Sequence, residues 1–308
     1  MKKNIINNLF AVSVLLLLTT SCKKWLSVRP STEIREEQLF TTAEGFKDAL
    51  TGVYSALGQS ALYGENLTAG MLDVLSQVYK IPTNHRMYEF SRYNYENASN
   101  AQLLDNIWLS AYNTIANINN IIRQADARPD LLDSRDYALI KGEAMGLRAF
   151  LHFDLLRMFA PSYGSSSTAP AIPYVREISL QVTPQSTVSA VLDSIIADLN
   201  AAADLLEVYP EIDDFTDVDF VPDANALLSY RKNHFNYYAA KALLARVYLY
   251  KQDKPHALEN ALEIINSKKF SFTSEAALSS SGDNRDRTCI TEQIFSLHVF
   301  DLNNTADK

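Results

Sequence analysis

The chain has 308 residues, 47% of them apolar and 21% charged, the profile of an ordinary globular protein with enough length for a sizeable core. Its formal net charge is -8, with 28 basic against 36 acidic residues. A surface that acidic repels phosphate backbones, so a nucleic-acid partner is excluded from the reading.

The chain opens on a leader, residues 1–21. Lys2 and Lys3 supply a positive start, residues 9–18 (LFAVSVLLLL) an apolar run, and Thr19, Thr20 and Ser21 a small-residue stretch. Cys22 follows at once, the arrangement of a bacterial lipoprotein signal in which the thiol is acylated and becomes the new N-terminus. The apolar run is well short of the roughly 20 residues a spanning helix needs. Acylation at Cys22 therefore predicts a domain tethered to a membrane by lipid. Cys289 is the other cysteine, so no intramolecular disulfide is expected.

Helical periodicity dominates the rest. Residues 42–59 carry Phe46, Ala49, Leu50, Val53, Tyr54 and Leu57 on one stripe. Residues 107–122 do the same with Trp108, Ala111, Tyr112, Ile115, Ile118 and Ile122. Residues 136–159 form a longer helix with Leu147, Phe150, Leu151, Leu155 and Met158 in register, stopped by Pro161. Residues 187–206 give the cleanest amphipathic pattern, from Val188 through Leu206. Residues 236–250 and 255–267 form a helix pair. There Leu244, Ala245, Tyr248 and Ala257 fit the small and aromatic offsets of a tetratricopeptide repeat, and fit an ordinary antiparallel hairpin equally well. Residues 162–187 are a Ser/Pro-rich loop, and 293–300 (QIFSLHVF) alternate as a strand. The expected fold is mostly α: a tetratricopeptide-like helical-repeat scaffold with long loops and a few short strands.

Several separate stretches together resemble one family. Cys22-Lys-Lys-Trp25-Leu26-Ser-Val28-Arg-Pro30, Phe40 to Tyr54, Trp108 to Asn117, Lys141 to Phe153 (KGEAMGLRAFLHF), Tyr238 to Tyr250 and Glu292 to Leu297 are similar, in order, to segments of the SusD/RagB-like outer-membrane lipoproteins. The resemblance implies a glycan-binding protein at the outer membrane, facing the cell exterior, that delivers its ligand to a TonB-dependent, SusC-like transporter. It implies lipidation at Cys22, a leash over 22–35 and a helical body over 36–308 that is incomplete at its C-terminal end.

No sequence motif of catalysis is present: there is no G-x-S-x-G, H-E-x-x-H or P-loop. Glu143 and Arg148 stand five apart on one helix and are expected to tie it to neighbouring chain. Asp213, Asp214, Asp217, Asp219 and Asp223 lack calcium-loop spacing and its glycine, and read as a solvated acidic loop. No enzyme activity, metal or cofactor is expected.

Residues 77–97 (QVYKIPTNHRMYEFSRYNYEN) interleave aromatic rings with Asn, His and Arg and have no helical period. Rings stack on the C–H faces of sugars while such polar groups pair with the hydroxyls. Tyr79, His85, Arg86 and Tyr88 are the candidate ligand-binding residues. The same rings could instead pack the loop onto the helices, which would favour the alternative, a lipid-anchored helical-repeat scaffold for a protein or peptide partner.

Overall fold

The computed structural model describes residues 36–211 and 226–300. The expected leader and leash, 1–35, and most of the acidic run around Asp213 to Asp223 lie outside the described residues. Residues up to Leu39 form a unit of their own, of which one four-residue helix, Glu36–Leu39, is described. The second unit starts at Phe40.

Six long helices build it: α1 Ala43–Leu57, α2 Ala98–Ala127, α3 Ser134–Phe159, α4 Val188–Leu206, α5 Tyr237–Tyr250 and α6 Lys254–Ser267. A side-chain oxygen caps the N-terminus of each. Thr42, Asn97, Asp133, Thr187, Asn236 and Asp253 accept from backbone N–H groups two or three residues on. Successive helices pack on one another, and α1 also reaches α3 while α3 reaches α5. The result is a stacked helical array.

Helix α3 is the hub. The expected stripe is only part of what it buries: Leu139, Ile140, Ala144, Leu147, Ala149, Leu151, Leu155 and Leu156 surround the axis. Small residues make this possible. A β-carbon on Gly142 would sit 2.8 Å from Leu206 Cγ of α4, and one on Gly146 would fall on the Phe235 ring before α5. Two helices and a connecting segment can thus close on α3 from different sides.

The α5–α6 pair is a helix hairpin closed by a three-residue loop. Ala257 is buried, and Tyr248 stacks on His256 with centroids 5.0 Å apart. The 160–187 connection is a loop, with one isolated antiparallel bridge between Pro170 and Thr187. Tyr112 donates to the Pro173 carbonyl and Asn119 to the Val175 carbonyl, which sew it to α2.

The expected strand at 293–300 does not form. Ser296 N–H donates to the Lys232 carbonyl, and the Ile294 carbonyl accepts from Asn236 Nδ2. Those single bonds hold the segment without a ladder, which needs a second extended chain alongside. The apolar alternation serves instead to seat Phe295 edge-on against Phe150 and Phe235.

Candidate ligand-binding site

Between α1 and α2 the chain makes tight turns around two short helices, Met71–Leu75 and Tyr88–Ser91. Gln77 and Tyr93 adopt the left-handed backbone region, at φ 61° and 60°. Gln77 Nε2 donates to the Ser91 carbonyl at 2.9 Å and ties the ends of the excursion together.

Two phenols dock on the same five-residue helix. Tyr79 Oη donates to Asp73 Oδ2 at 3.2 Å, and Tyr93 Oη to the Leu75 carbonyl at 3.0 Å. Phe90 lies beneath, fully buried, and Tyr95 meets its ring edge-on at 5.8 Å. Tyr79, Tyr93 and Tyr95 keep 43%, 52% and 48% of their surface exposed, against 0% for Phe90. Loss of hydration and the Asp73 carboxylate raise the Tyr79 phenol above its ordinary value. It remains a neutral donor across physiological pH.

The other candidates differ in placement. Arg86 is exposed and ion-paired with Glu65, which comes from the preceding turn. His85 is half-buried, and its Nδ1 accepts from the Met87 N–H at 3.1 Å. Tyr88 is half-buried too, with the Arg92 guanidinium 5.9 Å above its ring. The structure thus brings Tyr79 together with Tyr93, and Tyr88 with Arg92. It anchors Arg86 to residue 65, outside the segment singled out from sequence. Tyr93 and Tyr95 are more open than Tyr88, and without a helical period nothing in the sequence ranked them.

Glu143 and Arg148 are structural. Glu143 is fully buried, bonded by Arg231 Nη1 at 2.5 Å, Tyr54 Oη at 2.6 Å and His234 Nδ1 at 2.9 Å. Burial alone would raise its pKa, but the charges of His234 and Arg231 outweigh it and hold the carboxyl at about 2. Arg148 donates from Nε to Asp198 Oδ2 at 2.7 Å and from Nη1 to Asn119 Oδ1 at 2.8 Å. Tyr174 Oη caps the same Asp198 oxygen at 2.6 Å. These two networks fasten α3 to α1, α2, α4 and the 231–234 turn.

Residues 24–216 match the SusD-like family model described as starch-binding, associating with the outer membrane. The chain belongs to the SusD-like family. It is 21% identical over 276 residues to a SusD-like protein, P25, of Formosa agariphila, covering 87% of this chain and 47% of that one. A SusD superfamily structure from Bacteroides fragilis aligns with a TM-score of 0.63 at 21% identity, over 84% of this chain and 56% of that chain. A structure from Bacteroides vulgatus described as a putative sugar binding protein aligns with a TM-score of 0.59 at 24% identity, over 79% and 52%. This SusD-like chain therefore spans about half the length of the relatives it matches. The helical array described above is the fold these neighbours share. Among the described residues, no helix is long and apolar enough to cross a membrane.

Proposed function

We propose that this protein is a lipid-anchored outer-membrane glycan-binding protein that captures oligo- or polysaccharide outside the cell and hands it to a TonB-dependent, SusC-like transporter. Membership of the SusD-like family supports the carbohydrate and outer-membrane parts of this reading. The observation that carries it at residue level is a set of half-exposed tyrosines: Tyr79 and Tyr93, held by their hydroxyl hydrogen bonds, and Tyr95, held edge-on against Phe90. A ring held in place before binding loses little freedom when a sugar stacks on it. Arg86, His85 and the half-buried Tyr88 supply polar groups for hydroxyls on the same excursion. The protein binds and delivers; it performs no chemistry. The thiol of Cys22 carries the lipid, and 22–35 is the leash between that anchor and the body at 36–308.

Affinity electrophoresis of the full chain against a polysaccharide panel tests the capture. Retardation by at least one glycan is expected; a folded protein that no glycan retards would contradict it and favour a protein or peptide ligand. Incorporation of labelled fatty acid in bacterial cells, lost in Cys22→Ala, is expected for the anchor. Co-purification with a TonB-dependent β-barrel transporter is expected for the delivery step.

A further inference from the structure

A concave feature adjoins the short helix on which Tyr79 and Tyr93 dock, but is built from different residues. Leu67, Leu72, Met158, Ala160 and Tyr250 wall a cleft of about 260 Å³, and Asp154 and Arg157 of α3 form its polar end. Leu72 belongs to the same short helix, Met71–Leu75, that anchors Tyr79 and Tyr93 on its neighbouring residues.

The polar end is organised. Asp154 Oδ2 accepts from Tyr63 Oη at 2.8 Å, and Oδ1 accepts from Arg157 Nη1 at 3.1 Å. A carboxylate oxygen has two lone pairs, so each keeps acceptor capacity. Arg157 is held over the Phe153 ring at 5.5 Å and spends one N–H on Asp154, leaving other donors of its fork. Burial pushes the Asp154 carboxyl up, and Tyr63, Arg157 and Arg246 counter this in part.

Acceptor and donor sit side by side as an ion pair, next to apolar walls. Asp154 is already compensated by Arg157 and Arg246, so a cationic ligand gains little from it. A ring that carries both hydroxyl donors and oxygen acceptors, with apolar C–H faces, satisfies both groups at once. The volume falls below the usual range for drug-sized ligands, roughly 300–1,000 Å³, so it suits one ring and no more. We infer that this cleft is a subsite for a single uncharged pyranose residue, held by Asp154 and Arg157 against Leu67, Leu72, Met158 and Tyr250. The inference rests on the glycan-binding reading and adds to it a site that does not depend on the exposed tyrosines.

The test uses the full chain in a non-glycosidic detergent, with saturation-transfer NMR against methyl pyranosides of glucose, galactose, mannose and xylose, and methyl glucuronide as the charged control. At least one uncharged glycoside is expected to bind. Leu72→Trp fills the cleft at a partly exposed position and is expected to abolish that signal. Asp154→Asn keeps the shape but weakens the acceptor, with a loss of about tenfold, the scale of one charge-assisted hydrogen bond. No binding of any methyl pyranoside, equal binding in Leu72→Trp, or preference for the glucuronide overturns the subsite. If polysaccharide retention persists and responds to Tyr79→Ala while no monosaccharide binds, the subsite alone fails. If no polysaccharide is retained either, the capture reading fails with it.

Discussion

Helix α3 and the 77–97 excursion both carry polar and aromatic side chains with well-formed hydrogen bonds, yet they use them in opposite ways. Glu143, Arg148 and His152 are buried, and their partners come from five other parts of the fold: α1, α2, α4, the 160–187 connection and the 231–234 turn. Tyr79 and Tyr93 are bonded at the hydroxyl to one short helix, 6 and 18 residues away in sequence, and each ring stays about half exposed. A satisfied hydrogen bond therefore does not separate structure from function in this molecule. What separates them is whether an ordered group still has a surface to offer.

The largest effect is expected from breaking the α3 side. Arg148→Met takes from buried Asp198 its closer cation, leaving Arg176 at 3.6 Å, and should cost about 3–5 kcal/mol in denaturant unfolding. Loss of less than about 1 kcal/mol would show that Arg176 alone compensates Asp198.

The next is a pH effect at His152. Val175 N–H donates to its Nε2 at 3.1 Å, so Nε2 is unprotonated and Nδ1–H donates to the Arg148 carbonyl at 2.8 Å. A second ring proton would face an N–H. Burial accordingly lowers this imidazole from 6.5 to about 4. Between those values the unfolded chain binds more protons, so stability is complete above pH 6.5 and falls as pH drops toward 4, by about 3 kcal/mol over that window. His152→Gln is expected to flatten the fall between pH 6.5 and 4.5. Below 4.5, protonation of Glu143, held at about 2, adds a further loss in both proteins. An equally steep fall in the variant between pH 6.5 and 4.5 would place the titrating group elsewhere.

Gly146→Ala comes third. Its methyl meets the Phe235 ring, and overpacking of this kind costs about 1–3 kcal/mol by thermal or chemical melting. Unchanged stability would mean that Phe235 moves freely. On the loop side, Tyr79→Ala and Tyr93→Ala should shift stability by about 0.5 kcal/mol or less, the range of surface substitutions, because neither ring supports the core. A larger loss would turn these tyrosines into packing residues.

Much of the α scaffold is visible in the sequence because caps and apolar periods are local signals. Thr187 and Asn236 sit where their helices start. Helix α2 begins at Ala98, before the apolar pattern at Ile107, because ASNAQLLDN is polar on most faces and its cap, Asn97, looks like any loop asparagine. Pairings such as Glu143 with Arg231, 88 residues apart, leave no local trace. The strand expected at 293–300 fails for a related reason: alternation says which side chains are buried, not whether a second strand is there to pair. In 77–97, composition marks a ring-rich loop. Only tertiary packing decides that Phe90 is buried and Tyr93 open.

The proposed capture rests on glycan binding by the open rings of this loop. The most direct measurement is the dissociation constant of the full chain for a retained polysaccharide, compared with the Tyr79→Ala/Tyr93→Ala double variant at matched melting temperature. Loss of two stacking rings, at about 0.5–1.5 kcal/mol each, predicts weakening of roughly fivefold to over a hundredfold with the fold intact. An unchanged dissociation constant in a folded double variant would contradict the claim and move the glycan off this loop.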